Sequence, residues 1–213
     1  MTLAYAFTFA CLAGVAGVLP AERFARPVAH AVLKLGASAA FVLVALSLAA
    51  PASTYGRWIL AALVLSWVGD AALLSRRSGA FLTGLGAFLL AHLCFALAFF
   101  TGAFSAGAFV VALAPALGVG ILVGRWLWPH LGAGYRPPVA AYLAAILAMC
   151  AAAAGYGAAT GRWQVLVGAV VFAASDVAVA RDRFVARSFV NRAWGLPAYY
   201  AAQLVLAWSV TAG

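Results

Sequence analysis

Apolar residues run along this chain in long continuous stretches, and this pattern restricts the folds available to it. Cut at the Pro, Gly and Arg clusters, the stretches are about 17–24 residues long, enough for an α-helix to cross about 30 Å of hydrocarbon. With 68% hydrophobic and 8% charged residues, the chain has too little polar surface to coat a water-soluble globule. Because the stretches do not alternate between apolar and polar positions, they predict helices rather than a β-barrel. The sequence therefore predicts an all-α integral membrane protein.

We predict eight transmembrane helices, joined by short loops that make consecutive helices antiparallel neighbours in one bundle. The predicted spans are 2–19, 28–50, 57–75, 79–101, 105–124, 137–158, 162–180 and 193–212. The first span lacks the Lys or Arg residues that begin a signal peptide, so we expect it to be retained. No stretch is left for a soluble domain, and residues 1–213 are predicted to form a single transmembrane domain.

Positive charge is concentrated in alternate loops. The first, third, fifth and seventh loops carry Arg23, Arg26, Arg76, Arg77, Arg125, Arg136, Arg181, Arg183, Arg187 and Arg192. The other three loops carry only Arg57 and Arg162. By the positive-inside rule, the odd-numbered loops are predicted to be cytoplasmic and both termini to lie on the opposite face.

The net charge of +9 does not predict a nucleic-acid partner. The arginines stand singly between apolar runs and form no stripe that could follow a phosphate backbone. Metal ions and cofactors are not expected either, because the three histidines lie in separate segments without ligand spacing. The lipid bilayer is therefore the partner that the composition predicts.

Two of the four acidic residues lie inside predicted spans, where a charge costs about 2.5–3.5 kcal/mol on insertion scales. Asp70 lies six residues before Arg76 and Asp176 lies five residues before Arg181. Both carboxyl groups are therefore predicted about 8–9 Å inside the cytoplasmic boundary. Lys34 is predicted at about the same depth in the second span. Charges placed in this way usually face the interior of a bundle and serve a function.

Further polar residues fall in or near this layer, and each has a structural interpretation. Asp70 could merely neutralise Lys34. His92, near the middle of the fourth span, could be a hydrogen-bonded core histidine, and Tyr142 and Tyr199 could be interfacial anchors. The common depth of these residues favours a functional site, because unrelated structural residues would be scattered in depth.

A short similarity inside the chain indicates duplication. The segments GDAALLSRR (69–77) and SDVAVARDR (175–183) each place a small residue and an Asp shortly before an arginine-rich exit. Two parallel four-helix halves would produce this pattern, and parallel repeats are a known membrane architecture.

Five segments, in order and at the expected spacing, resemble the YhhN family of membrane lysoplasmalogenases. They are GDAALL (69–74), FLTGLGAFLLAHLCF (81–95), PVAAYLAAILAM (138–149), GAVVFAASDVAVARDRF (168–184) and LPAYYAAQLV (196–205). The resemblance covers the third to eighth spans, and the second span joins it through Lys34. In this chain Lys34 is followed by leucine, whereas the family tends to have proline there.

The resemblance implies a lysophospholipid substrate, a lysoplasmalogen, whose vinyl ether bond is hydrolysed to a fatty aldehyde and a glycerophospho-alcohol. Protonation of the vinyl ether calls for a carboxylic acid and capture of water for a carboxylate, so Asp70 and Asp176 are predicted to be the catalytic acid/base pair. Lys34 would either set the charge states of the aspartates or bind the substrate phosphate. The residues predicted to support the site are His92, Tyr142, Tyr199, Gln203 and Ser175.

A proton-coupled transporter of small molecules or lipids is the main alternative, because paired intramembrane aspartates and a repeat also describe such carriers. Carriers tend to break corresponding spans of their two halves. Pro115 is predicted to interrupt the fifth span with no counterpart in the first, which argues weakly against a carrier. A non-catalytic scaffold or lipid sensor would have dispersed polar residues, whereas those of this chain cluster.

The predicted orientation can be measured with compartment-sensitive reporter tags. Tags at residues 78 and 188 are expected to report the cytoplasm, and tags at residue 53 and the C-terminus the opposite face, because of the arginine asymmetry. A cytoplasmic C-terminus would contradict the prediction and would indicate an odd number of spans or an inverted bundle.

Overall fold

The computed structural model describes residues 1–75 and 77–212 of the chain, and within them long α-helices follow one another without a β-strand. The helices are α1 Thr2–Arg23, α2 Pro27–Ser47, α3 Thr54–Ala72, α4 Ser78–Phe99, α5 Ala106–Leu127, α6 Arg136–Thr160, α7 Trp163–Ala180 and α8 Phe189–Trp208. Every predicted span therefore corresponds to a helix in the described residues. Arg76, which entered the predictions of orientation and depth, lies outside them.

Two of the largest differences between predicted and observed helix ends have local causes. α1 continues through Pro20 to Arg23, and the Phe24 amide closes its last turn by donating to the Pro20 carbonyl at 2.9 Å. α8 begins four residues before the predicted start, at Phe189, because the Ser188 hydroxyl caps it by accepting from the Val190 amide at 3.2 Å.

Pro115 does not interrupt the fifth helix, so that prediction is wrong. α5 is continuous from Ala106 to Leu127. A proline removes one backbone donor, and transmembrane helices tolerate this loss where local adjustments satisfy the freed carbonyl. Pro20 and Pro197 likewise lie inside α1 and α8. The expected break in α5 therefore carries no weight in the comparison with carriers.

Length and composition qualify six of the described helices as membrane spans. They are α1, α2, α4, α5 with its extension to His130, α6 and α7. The remaining two, α3 and α8, are long enough but carry polar residues, among them Asp70 and Gln203, at buried positions. Their lower hydropathy follows from facing the interior of the bundle, where polar groups find protein partners.

Corresponding helices of the two halves make corresponding contacts. α1 packs on α2 as α5 packs on α6, and α3 packs on α4 as α7 packs on α8. Across the halves, α4 contacts α6 and α8 contacts α2. This is the pairing expected for two parallel four-helix repeats. The halves differ at their first helices, since α1 also contacts α8 whereas α5 is scarcely buried at the edge of the bundle.

The odd-numbered connections meet at one end of the bundle. Arg192, in the first turn of α8, forms an ion pair with Glu22 near the end of α1. Arg183, after α7, donates to the Tyr135 hydroxyl at 3.3 Å and lies 4.4 Å from the centre of the Phe81 ring. Hydrogen bonds with Ser78 and Arg183 lower the pKa of Tyr135 below its ordinary value. The arginine-rich loops thus form one polar cap, as the alternation of charge predicts.

Small residues allow the helices to approach closely, as is usual in membrane bundles. Gly195 on α8 faces α7 so tightly that an added Cβ would lie 2.5 Å from the Cβ of Ala178. Ala178 follows Asp176 by two residues, so this contact positions the α7 segment that carries the carboxyl group. Gly36 on α2, in contrast, has nothing within 4 Å of an added Cβ.

We expect Gly195→Ala to destabilise the protein by about 1–3 kcal/mol, because neither the new methyl group nor that of Ala178 can move without shifting a backbone. Gly36→Ala is the matched control, and it is expected to be neutral or stabilising by up to about 1 kcal/mol. Thermal unfolding in detergent measures both. Equal melting temperatures for the two variants would contradict the close packing of α7 and α8.

Candidate active site

Asp70 on α3 lies at the centre of a hydrogen-bonded cluster with residues of α2 and α8. The Lys34 ammonium lies 3.1 Å from Asp70 Oδ1. The Ser38 and Tyr199 hydroxyls each donate to Asp70 Oδ2 at 2.7 Å. The side chains of Lys34 and Asp70 are only 8% and 3% exposed. The cluster is therefore an ion pair held away from solvent and completed by two hydroxyl donors.

Helical spacing on α2 explains part of this cluster. Lys34 and Ser38 are four residues apart and lie on one face of the helix. The Tyr200 hydroxyl lies 3.0 Å from Ser38 Oγ and 3.1 Å from the Lys34 carbonyl oxygen. Sequence reasoning missed both Ser38 and Tyr200. The spacing from Lys34 could have identified Ser38, and Tyr200 could have been found only as the neighbour of Tyr199.

Asp176 on α7 belongs to a second cluster, with residues of α4 and α6. His92 Nε2 lies 3.2 Å from Asp176 Oδ2. The rings of His92 and Tyr142 meet edge to face with their centres 5.1 Å apart, and the Tyr142 hydroxyl interacts with the Asp176 carboxyl group. His92 is fully buried, whereas the Asp176 side chain is 13% exposed. Asp176 is thus the more accessible of the two carboxyl groups.

Aromatic rings connect the two clusters. Phe172, one turn before Asp176 on α7, stacks on His92 with ring centres 4.4 Å apart. Phe172 also meets the ring of Tyr199, which belongs to the Asp70 cluster, at 5.5 Å. Phe172 therefore contacts one ring of each cluster and links the two clusters. The low polarity of these rings strengthens the local interactions of each aspartate.

The two clusters are related by the repeat. Three polar residues of the first half have polar counterparts in the second half at separations of 106 to 108 residues. The corresponding pairs are Lys34 with Tyr142, Asp70 with Asp176 and His92 with Tyr199. Each cluster combines an aspartate with one of these polar residues from its own half and one from the opposite half. Asp70 lies with Lys34 and Tyr199, and Asp176 lies with Tyr142 and His92. The site thus exists only when both halves are packed together.

Two of the predicted supporting residues lie outside these contacts. Gln203 donates to the Ser66 hydroxyl at 3.3 Å, and Ser66 lies one turn before Asp70 on α3. Gln203 is therefore adjacent to the Asp70 cluster without touching the carboxyl group. The Ser175 hydroxyl donates to the Phe172 carbonyl of its own helix at 2.7 Å. Ser175 satisfies its helix backbone and contributes to neither cluster.

The fold and the two clusters define a multi-pass helical membrane protein with one buried and one partly exposed carboxyl group, each in a polar cluster. The chain belongs to the YhhN family, whose sequence profile matches residues 29–210. Proteins named lysoplasmalogenase from Mycobacterium bovis and Mycobacterium tuberculosis are each 41% identical to it over 196 residues, covering 86% of this chain and 71% of theirs. Lysoplasmalogenase TMEM86A of Bos taurus is 34% identical over 165 residues, covering 71% of this chain and 64% of its own. No solved structure matches.

Asp70→Asn is expected to lower the free energy of unfolding by about 3–5 kcal/mol, because it leaves the Lys34 ammonium buried without a counter-ion. The double variant with Lys34→Met is expected to recover most of this loss. Asp176→Asn is the matched control. It is expected to lower the free energy of unfolding by less, because its partner His92 can lose its proton and leaves no unpaired buried charge. Denaturant unfolding in detergent compares the variants. If Asp70→Asn were as stable as the wild type, the buried ion pair of Lys34 and Asp70 would not contribute to the stability of the fold.

Proposed function

We propose that this protein is a lysoplasmalogenase, which hydrolyses the vinyl ether bond of a lysophospholipid to a fatty aldehyde and a glycerophospho-alcohol. Relatives bearing that name align over most of the chain, which supports the reaction. The observation that carries the proposal is the pair of carboxyl groups, Asp70 and Asp176, contributed by the corresponding helices α3 and α7. Each lies in a polar cluster inside an otherwise apolar bundle.

The chemistry of a vinyl ether matches two carboxyl groups. A carboxylic acid protonates the β-carbon, which leaves an oxocarbenium ion on the neighbouring carbon. A carboxylate stabilises this cation, and a carboxyl group accepts a proton from the water that attacks it. The resulting hemiacetal breaks its bond to the glycerol oxygen and releases the aldehyde. Asp70 and Asp176 form the acid/base pair of this scheme.

The neighbouring side chains fit supporting roles. Lys34 contacts Asp70 directly, which supports its role in holding that aspartate ionised rather than in binding the substrate phosphate. Tyr142 and Tyr199 each place a hydroxyl beside one aspartate, where they can orient water or the glycerol hydroxyl. Gln203 supports the Asp70 cluster through Ser66.

The depth of the aspartates fits an amphiphilic substrate. The vinyl ether of a lysophospholipid lies directly below the glycerol backbone, just inside the polar interface. A catalytic layer about 8–9 Å inside the boundary is therefore at the depth of the scissile bond when the head group stays in the interface. In this proposal the layer lies on the cytoplasmic side, and residues 1–213 act as a single transmembrane domain.

Purified protein incubated with a lysoplasmalogen is expected to release an aldehyde, which a coupled enzymatic assay measures. The matched control substrate is the alkyl lysophospholipid of equal chain length, whose saturated ether cannot form an oxocarbenium ion by protonation and should give no product. A chelator is expected to leave the rate unchanged, because the proposed steps use carboxyl groups and water. Chelator-dependent loss that a divalent ion restores would instead indicate a metal-activated water.

The same assay in deuterated water tests the mechanism. Proton transfer to carbon predicts one deuterium at the carbon next to the aldehyde and a slower rate in deuterated water. Immediate reduction of the aldehyde to the alcohol prevents later exchange before mass analysis. An aldehyde without deuterium would contradict protonation of the β-carbon. Absence of turnover on any lysoplasmalogen would contradict the proposed function and favour a carrier.

A further inference from the structure

The two ring nitrogens of His92 lie in different environments. Nδ1 lies 2.6 Å from the carbonyl oxygen of Phe88, one turn earlier on α4. A carbonyl oxygen can only accept a hydrogen bond, so Nδ1 carries a proton. In a neutral ring the other nitrogen, Nε2, then has a free lone pair.

Nε2 faces a carboxyl oxygen rather than a donor. It lies 3.2 Å from Asp176 Oδ2, and both atoms are buried without another hydrogen-bond partner among the described residues. A carboxylate beside a neutral ring would make two lone pairs face each other in a dry site, which is unfavourable. One proton therefore lies between the two atoms, on Nε2 or on the carboxyl oxygen.

Asp70 is in the opposite situation. Its Oδ1 contacts the Lys34 ammonium, and its Oδ2 accepts hydrogen bonds from two hydroxyl groups. A carboxylate can accept from the ammonium and from both hydroxyls, so this geometry favours the ionised form of Asp70.

We propose that the pair of His92 and Asp176 supplies the proton that activates the vinyl ether, and that Asp70 remains a carboxylate throughout. This inference rests on the proposed function and divides the acid/base pair into two unequal roles. Asp176 is the carboxyl group that substrate reaches, since its side chain is 13% exposed. His92 is fully buried and acts through Asp176 as a positioning residue.

The proton balance closes within one turnover. The pair transfers its proton through Asp176 to the β-carbon, where a C–H bond forms and the oxocarbenium ion remains. Water attacks this cation, and the proton that it releases returns to the pair. The hemiacetal hydroxyl proton then passes to the glycerol oxygen as the C–O bond breaks. One water is consumed, and Asp70 stabilises the cation without changing its protonation.

Other titratable groups also face Asp176 from neighbouring helices. They are Tyr142 and Cys150 on α6 and Tyr199 on α8. At neutral pH an imidazole can accept a proton, whereas a phenol or a thiol is already protonated and does not act as a base. His92 is therefore the neighbour of Asp176 suited to share a proton with it.

A variant in which His92 is the only histidine allows a direct test by ¹⁵N NMR with labelled histidine in detergent micelles. The sequence has only three histidines, and His30→Gln together with His130→Gln leaves the signal of His92 alone. The expected spectrum at neutral pH shows a protonated Nδ1, with Nε2 either an acceptor or also protonated. A neutral ring with its proton on Nε2 alone would overturn the inference. This readout does not depend on activity.

Kinetics tests the role of the shared proton. His92→Gln is expected to lower kcat by about 10²-fold or more with KM nearly unchanged, because the imidazole shares the transferred proton but does not contact the substrate. His130→Gln is the matched control, since His130 is exposed, and it should reproduce the wild-type kcat and KM. An unchanged kcat in His92→Gln would overturn the inference. If His92→Gln does not fold, the NMR spectrum of the protein that retains His92 decides.

The two proposals fail in different ways. Absence of vinyl ether hydrolysis by the wild type contradicts the proposed function. A His92 ring protonated only at Nε2 contradicts the shared proton, whatever the activity of the protein.

Discussion

The buried ion pair of Lys34 and Asp70 is the constraint on which the rest of the bundle depends. Neither charge can be left alone among apolar helices, since an unpaired buried charge costs several kcal/mol. The pair therefore fixes how α2 and α3 are rotated toward each other. It also brings in α8, because the carboxylate still needs hydroxyl donors and Tyr199 supplies one. Three helices from both halves are thus held in register by one carboxyl group.

The two carboxyl groups have different neighbours. On one side a fixed cation and two hydroxyls surround Asp70, and on the other an imidazole faces Asp176. The apolar rings packed around these groups weaken dielectric screening, so each aspartate responds mainly to its own neighbours. A difference in protonation between identical side chains is what acid/base catalysis requires.

The sequence predicted best those features that depend only on the position of a residue along its helix. The rise per residue gives depth directly, so counting from the arginines placed Asp70 and Lys34 in one layer, where they are in contact. Rotation about a helix axis is harder to predict, because apolar residues surround these helices on every side. That is why Ser38 and Tyr200 were missed, and why the sequence did not show that the Ser175 hydroxyl donates to its own helix backbone. Pro115 shows a third limit, since a proline signal from soluble proteins does not end a helix in lipid.

The even number of helices in each half has a consequence for the origin of the site. A four-helix unit returns the chain to the side from which it started, so two copies insert in the same orientation without any redesign. Two separate half-length chains could therefore have assembled as a symmetric dimer with two equivalent aspartates across the shared interface. After fusion into one gene, the two copies could acquire different substitutions. The corresponding positions now differ, with lysine at Lys34 and tyrosine at Tyr142, so the two aspartates have different neighbours.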